Sequence, residues 1–125
     1  HVGNSNPFSL AAAEAAYREG GDWLDQLMGY LRDTQTAVTE LLVAELPQIR
    51  VAKTEGTYLL WLDCRGLGLS DVDLHRFFID DARLGLSAGT VFGQGGSGFM
   101  RLNIGAPRME ILAGMRQLVT AWRMR

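Results

Sequence analysis

The segment 99–104, with the sequence FMRLNI, contains the side chains best suited to bind a charged substrate. Its pattern predicts a strand, along which successive side chains point to opposite faces of a sheet. The predicted core face carries Met100, Leu102 and Ile104. Arg101 and Asn103 lie on the opposite face with Phe99, and a guanidinium can donate two parallel hydrogen bonds to a carboxylate. From the residues alone, a solvent-facing or ion-paired arginine is the commoner role, so carboxylate binding is one of two interpretations.

The segment 89–98, GTVFGQGGSG, has five glycines in ten residues and leads directly into this strand. Backbone N–H groups of such a loop can hold a phosphate. The segment lacks the Lys-Ser/Thr ending of a P-loop, however, and it precedes a strand where a P-loop precedes a helix. Its glycines equally suit a connection with positive φ angles. We therefore interpret it as a loop at the mouth of a site.

Other reactive side chains stand alone in the sequence. Lys53 is the only lysine beside eleven arginines, so it is the single candidate for Schiff-base chemistry. His75 falls in a predicted helix without a histidine or cysteine at metal-ligand spacing, which favours a structural role and predicts no metal site. Cys64 follows a buried-looking strand and is interpreted as a small apolar residue. The residues alone thus define no complete catalytic centre.

The elements that must position these residues follow from capping signals and apolar periodicity. Asn6-Pro7 predicts the start of a first helix and Asp22 the cap of a second, while Ser70 with Asp73 resembles a capping box for a third. Predicted helices cover 6–19, 22–45, 71–81 and 107 to the C-terminal end, and predicted strands cover 49–54, 57–63, 83–87 and 99–104. The predicted fold is α+β, with about four mostly antiparallel strands, helices packed on the sheet and a long helix before it.

Composition excludes several classes of function. The net charge of −2 argues against nucleic-acid binding, because such domains normally carry a positive excess. No apolar run approaches the ~20 residues of a membrane span. The single cysteine excludes an intrachain disulfide and favours a reducing compartment, so we expect a cytoplasmic protein.

Three blocks of sequence resemble the C-terminal region of class I/II aminotransferase-like enzymes, which have fold type I and depend on pyridoxal 5'-phosphate (PLP). They are NPFSLAAAEAAYREGGDWLDQLMGYL at 6–31, EGTYLLWLDCRGLG at 55–68 and GTVFGQGGSGFMRLNIGAPR at 89–108. Together they extend the resemblance over essentially the whole chain. Within this superfamily the chain most resembles the MalY/PatB-type cystathionine β-lyase (C–S lyase) branch.

The resemblance implies a two-domain enzyme in which a large domain binds PLP through a lysine and a small C-terminal domain closes over the substrate. The arginine of the RLN segment, here Arg101, would bind the substrate α-carboxylate, with Asn103 as a second candidate. Lys53 lacks the Ser-x-x-Lys context of the PLP lysine, so no catalytic or cofactor-binding residue is expected in this chain. Residues 1–20 would be a helix from the end of the large domain or an inter-domain segment, and 21–125 the small domain.

The expected function is substrate clamping in a PLP-dependent C–S β-lyase or aminotransferase that acts on amino acids and forms a homodimer. The chain would be inactive alone because the PLP lysine lies in the large domain. It would then expose the face that meets that domain, so we expect self-association or rearrangement of residues 1–20. The alternative is a stand-alone amino-acid-binding or oligomerisation module without catalysis.

Overall fold

The computed structural model of the protein describes residues 6–125. These residues divide into two units, with the boundary between Arg32 and Asp33. That boundary falls inside a helix. The predicted boundary between 1–20 and 21–125 separates domains of a larger enzyme and stays a prediction. Residues 1–5 of the first segment lie outside the described residues.

Two helices begin the chain as predicted. Helix α1 spans Pro7–Glu19, and the side chain of Asn6 caps it by accepting a 2.9 Å hydrogen bond from the N–H of Ser9. Helix α2 spans Gly21–Glu45. The prediction that Asp22 caps α2 was wrong, because the helix already begins at Gly21. Asp22 lies instead in the first turn, where its negative charge suits the helix dipole.

The second unit contains one sheet of four strands. They are β1 (Arg50–Val51), β2 (Leu59–Asp63), β3 (Ser87–Ala88) and β4 (Phe99–Asn103). The order across the sheet is β1-β2-β4-β3, and every neighbouring pair is antiparallel. The predicted α+β class with a small antiparallel sheet is therefore confirmed.

All four strands are shorter than predicted, and β4 differs least because it ends one residue early, at Asn103. Of the predicted strand 83–87 only Ser87 lies in β3, because Arg83 has a φ of 55° and the N–H of Leu84 bonds back to the carbonyl of Phe78. These residues end the preceding helix and do not pair in the sheet. Similarly, β2 begins at residue 59 because Thr57 has a φ of 66°, far from extended backbone. Of the predicted strand 49–54 only β1 has strand geometry, although the N–H of Ala52 still donates a 2.8 Å hydrogen bond to the carbonyl of Trp61.

Two further helices complete the second unit. Helix α3 spans Asp71–Arg76 and continues as a single π-helical turn, Phe77–Asp81. The predicted cap is confirmed, since Ser70 Oγ accepts a 3.1 Å hydrogen bond from the N–H of Asp73. Helix α4 spans Arg108–Arg123, with Pro107 as the residue before it and not as its first member.

Alternating burial along β2 and β4 defines the core of this unit. The buried side chains of the two strands are Leu60, Leu62, Met100 and Leu102, each at most 6% exposed. Buried residues of the helices join them, among them Val38, Leu42, Phe77, Phe78, Met115 and Leu118. The predicted core face of β4 is confirmed, and Arg101 lies on the other, half-exposed face. Within residues 6–125, no helix combines the length and apolar character needed to cross a membrane.

Candidate carboxylate-binding site

Arg101 lies at the centre of β4, between two strands that supply its neighbours. Its register partners are Trp61 on β2 and Ser87 on β3. The Nη2 group donates a 3.2 Å hydrogen bond to Ser87 Oγ. The guanidinium carbon also lies 4.7 Å from the ring centroid of Phe92, within the range of a cation–π contact. The half-buried guanidinium is thus held on two sides.

Both of these contacts are neutral, so the positive charge of Arg101 is not compensated by them. None of the ion pairs within residues 6–125 includes Arg101. Arg65 is different: its Nε and Nη2 donate to the two carboxylate oxygens of Asp63 at 2.8 and 2.7 Å. An ordered cation without an anionic partner is suited to bind an external carboxylate.

The pairing of Asp63 with Arg65 predicts a specific pH dependence. The hydrogen bonds from Arg65 lower the pKa of Asp63 from 3.8 to about 2. A lowered folded-state pKa stabilises the protein above the unfolded pKa, and this stabilisation is lost as the pH falls through the folded pKa. We expect Asp63→Asn to be less stable than the parent at pH 5, with the difference vanishing towards pH 2. Urea unfolding across this range measures it, and a constant difference would contradict the assignment.

A row of aromatic rings connects the two arginines on this face of the sheet. Phe99 and Trp61 stack with ring centroids 5.6 Å apart, and Trp61 meets Phe92 edge-on, also at 5.6 Å. Arg65 lies over Phe99 at 4.9 Å, as Arg101 lies over Phe92. Trp61 and Phe92 were not among the predicted site residues. Alternation along β2 could have placed Trp61 on this face, but no sequence signal placed Phe92.

The glycine-rich segment folds as two short 3-10 turns, Gly89–Phe92 and Gln94–Gly96. The turns pack so closely that a Cβ atom on Gly89 would lie 2.2 Å from the carbonyl oxygen of Gly96. A Cβ atom on Gly96 would lie 1.9 Å from the carbonyl oxygen of Gly89. The predicted positive φ angles are confirmed at Gly93 and Gly98. This packing brings the Phe92 ring over Arg101.

Asp71 fixes the end of this segment from the first turn of α3. Its Oδ2 accepts a 2.8 Å hydrogen bond from the Ser97 hydroxyl, and its Oδ1 accepts a 2.7 Å bond from the N–H of Gly98. The carbonyl of Gly98 accepts in turn from the N–H of Cys64, at 2.9 Å. Helix α3 and the end of β2 therefore determine where β4 begins.

Asn103 is exposed at the end of β4, two residues from Arg101 on the same face. Its Oδ1 accepts a 2.8 Å hydrogen bond from the N–H of Gly105, which closes a local turn. The amide NH₂ is the part of the side chain suited to donate to a ligand. A role for Asn103 in substrate binding stays a prediction.

The remaining reactive side chains are not assembled around Arg101. Lys53 lies beyond β1, not on a strand as predicted, and its side chain is 85% exposed and paired with Glu55 at 2.9 Å. The expectation that Lys53 is not the PLP-binding lysine stays a prediction. Burial raises the pKa of the Cys64 thiol to about 12, which favours the unreactive form. His75 is exposed on α3, and no group of three or more potential metal ligands occurs in the described residues.

Comparison with known proteins places this geometry in a family context. No protein-family model matches the chain. Cystathionine beta-lyase PatB of Bacillus subtilis is 38% identical over 120 residues, which cover 96% of this chain and 31% of that protein. Protein MalY of Escherichia coli is 37% identical over 123 residues, with 97% and 32% covered. The crystal structure of cystalysin from Treponema denticola, which contains PLP, matches with a TM-score of 0.91 and 32% identity, covering 95% of this chain and 30% of cystalysin.

The chain spans about a third of the length of these relatives. Matches at this level of identity over nearly the whole chain confirm the resemblance noted in the sequence. The four helices and the antiparallel sheet are shared with the solved structure. The chain is therefore a relative of the MalY/PatB-type cystathionine β-lyases, with the fold of the C-terminal domain of fold type I PLP-dependent enzymes.

Proposed function

We propose that this chain is the substrate-clamping C-terminal domain of a PLP-dependent C–S β-lyase or aminotransferase that acts on amino acids. Arg101 binds the α-carboxylate of the substrate. The observation that carries the proposal is the state of this residue, whose guanidinium is held by Ser87 and Phe92 without an anionic partner in the described residues. Its relatives include a cystathionine beta-lyase and PLP-containing cystalysin, which supports the class of reaction.

The clamp works through hydrogen bonding and orientation. A guanidinium has five N–H donors, and the bond to Ser87 uses one of them. Two of the others can donate in parallel to the two carboxylate oxygens, which fixes both the position and the plane of the carboxylate. The rigid strand β4 thereby orients the substrate Cα, and such orientation lowers the entropic part of the barrier. PLP, held by residues outside this chain, supplies the electron sink for a carbanion at that carbon.

Exposed aromatic side chains in the first unit support a covering domain. None of the residues of α1 is buried. Phe8, Tyr17 and Trp23 are 86%, 94% and 66% exposed, although such large apolar side chains gain free energy on burial. We propose that the large, PLP-binding domain of the same protein covers them, and that the complete protein is a cytoplasmic homodimer.

The proposal predicts that the 125-residue chain has no catalytic activity on its own. Incubated with PLP and L-cystathionine, the folded chain should release no thiol, and borohydride reduction should leave no stoichiometric cofactor label on Lys53. Thiol release is measured with a chromogenic disulfide, and labelling by mass spectrometry. Lys53→Arg is the control for weak surface labelling. Thiol release by the parent chain that is lost in this variant would refute the proposal.

The same chain distinguishes the alternative of a stand-alone binding module. That alternative predicts that the isolated chain binds free amino acids with an affinity measurable by calorimetry, and that Arg101→Ala abolishes this binding. It also predicts that the complete protein neither binds PLP nor cleaves C–S bonds. The proposed function instead predicts that PLP and cleavage activity appear in the protein encoded by the complete reading frame around this sequence.

A further inference from the structure

We propose that Phe92 is a positioning residue, whose ring holds the guanidinium of Arg101 in the plane needed to receive a carboxylate. The identity of the ligand rests on the proposed function, whereas the contact by which Phe92 orients Arg101 does not depend on it. The positioning role is carried by the cation–π contact of 4.7 Å and by the way the chain places this ring.

The hydrogen bond to Ser87 alone does not fix the guanidinium. It engages only Nη2, so the group can still rotate about that contact. A ring face set against the guanidinium removes this freedom, because the planar cation lies over the negative face of the ring. The two restraints come from different elements, β3 and the 3-10 turn 89–92, and together they define a single orientation.

Phe92 is placed by backbone packing and not by burial of its side chain. Phe92 is 53% exposed, so it is not a core residue. The turn that carries it is fixed by the contact of Gly89 with Gly96, and Trp61 of β2 contacts the ring in a T-shaped arrangement with centroids 5.6 Å apart. An exposed ring on a closely packed turn, in contact with the guanidinium that also bonds Ser87, is suited to support Arg101.

The variants Phe92→Leu and Phe92→Tyr separate the ring face from apolar bulk. Leucine keeps an apolar side chain without a π face, and tyrosine keeps the face. We expect Phe92→Leu to mobilise the Arg101 side chain and to weaken carboxylate binding by about 2- to 5-fold, the range of an exposed cation–π contact. Phe92→Tyr should keep the Arg101 side chain ordered and carboxylate binding at the parent level. Val91→Ala is the matched control, because Val91 lies in the same turn and is 74% exposed.

The direct measurement is the NMR order parameter of the Arg101 Nε–Hε group in the full-length protein labelled on arginine. It should fall in Phe92→Leu and stay at the parent value in Phe92→Tyr and Val91→Ala. An unchanged value in Phe92→Leu, or an equal fall in Val91→Ala, would overturn the proposal.

A second measurement links the order of Arg101 to its ligand. The preference of the full-length enzyme for an amino acid over its α-carboxamide, taken as the ratio of the two kcat/KM values, should fall in Phe92→Leu. In an Arg101→Ala background the same change should have no further effect, since coupled residues are not additive. Additive losses would refute the positioning role. If Arg101→Ala leaves the preference unchanged while the order parameter still depends on Phe92, the proposed function fails and the positioning of Arg101 stands.

Discussion

Replacing Arg101 with alanine is expected to lower kcat/KM of the full-length protein for L-cystathionine by about 10- to 100-fold. Hydrogen bonds to charged groups contribute ~1.5–3 kcal/mol, and about 1.4 kcal/mol corresponds to a tenfold change in kcat/KM. Arg101→Lys should recover only part of this loss, because an ammonium keeps the charge but lacks the planar fork. Steady-state rates of thiol release measure the effect.

Arg65→Ala is the matched control for this experiment. Arg65 also lies over an aromatic ring of the same row, but its guanidinium is already bound to both oxygens of Asp63. Its removal should leave kcat/KM close to the parent value. Equal losses in Arg65→Ala and Arg101→Ala would show that general disturbance of the sheet face, and not carboxylate binding, lowers the rate.

Replacing Gly96 with alanine is expected to destabilise the protein by about 1–3 kcal/mol, the usual cost of overpacking a closed site. The added Cβ would lie 1.9 Å from the backbone oxygen of Gly89, and neither glycine has a flexible side chain that could move aside. Gly89→Ala should act in the same way, with its Cβ 2.2 Å from the oxygen of Gly96. Urea unfolding of the variants measures the change in free energy.

Gly95→Ala controls for the loss of a glycine in the same turn. A Cβ atom at this position has no neighbour within 4 Å, and Gly95 does not have a positive φ. Its unfolding midpoint should therefore match or exceed that of the parent, since alanine restricts the unfolded chain. If all three alanine variants have the parent's midpoint, the close contact between the two turns does not exist in solution.

Much of the fold could be predicted because its signals are local. Capping residues marked the beginnings of α1 and α3, and alternation along β4 separated the core residue Met100 from Arg101. These signals act within a few residues of the chain. The predicted strand 83–87, of which only Ser87 pairs in the sheet, shows their limit, because a backbone with positive φ at Arg83 ends a helix where the side-chain pattern suggested extension.

The surroundings of Arg101 could not be predicted from such signals. Ser87 reaches it through strand register, and Phe92 reaches it through the packing of two glycine turns. Both contacts depend on how separate segments of the chain pack together, which capping signals and side-chain alternation do not describe. The family resemblance implied a carboxylate ligand for Arg101 but implied no role for Ser87 or Phe92. Their contacts with Arg101 are seen only in the structure.

The hydrogen bonds of Asp71 have a consequence for how this sequence can diverge. The carboxylate binds Ser97 and Gly98 from 26 and 27 residues away, and so sets the starting point of the strand that carries Arg101. A change at position 71 therefore alters the start of β4 without contacting Arg101. A substitution at Ser97 removes only the bond to Oδ2, whereas a substitution at Asp71 removes both bonds, so we expect position 71 to accept fewer substitutions than position 97.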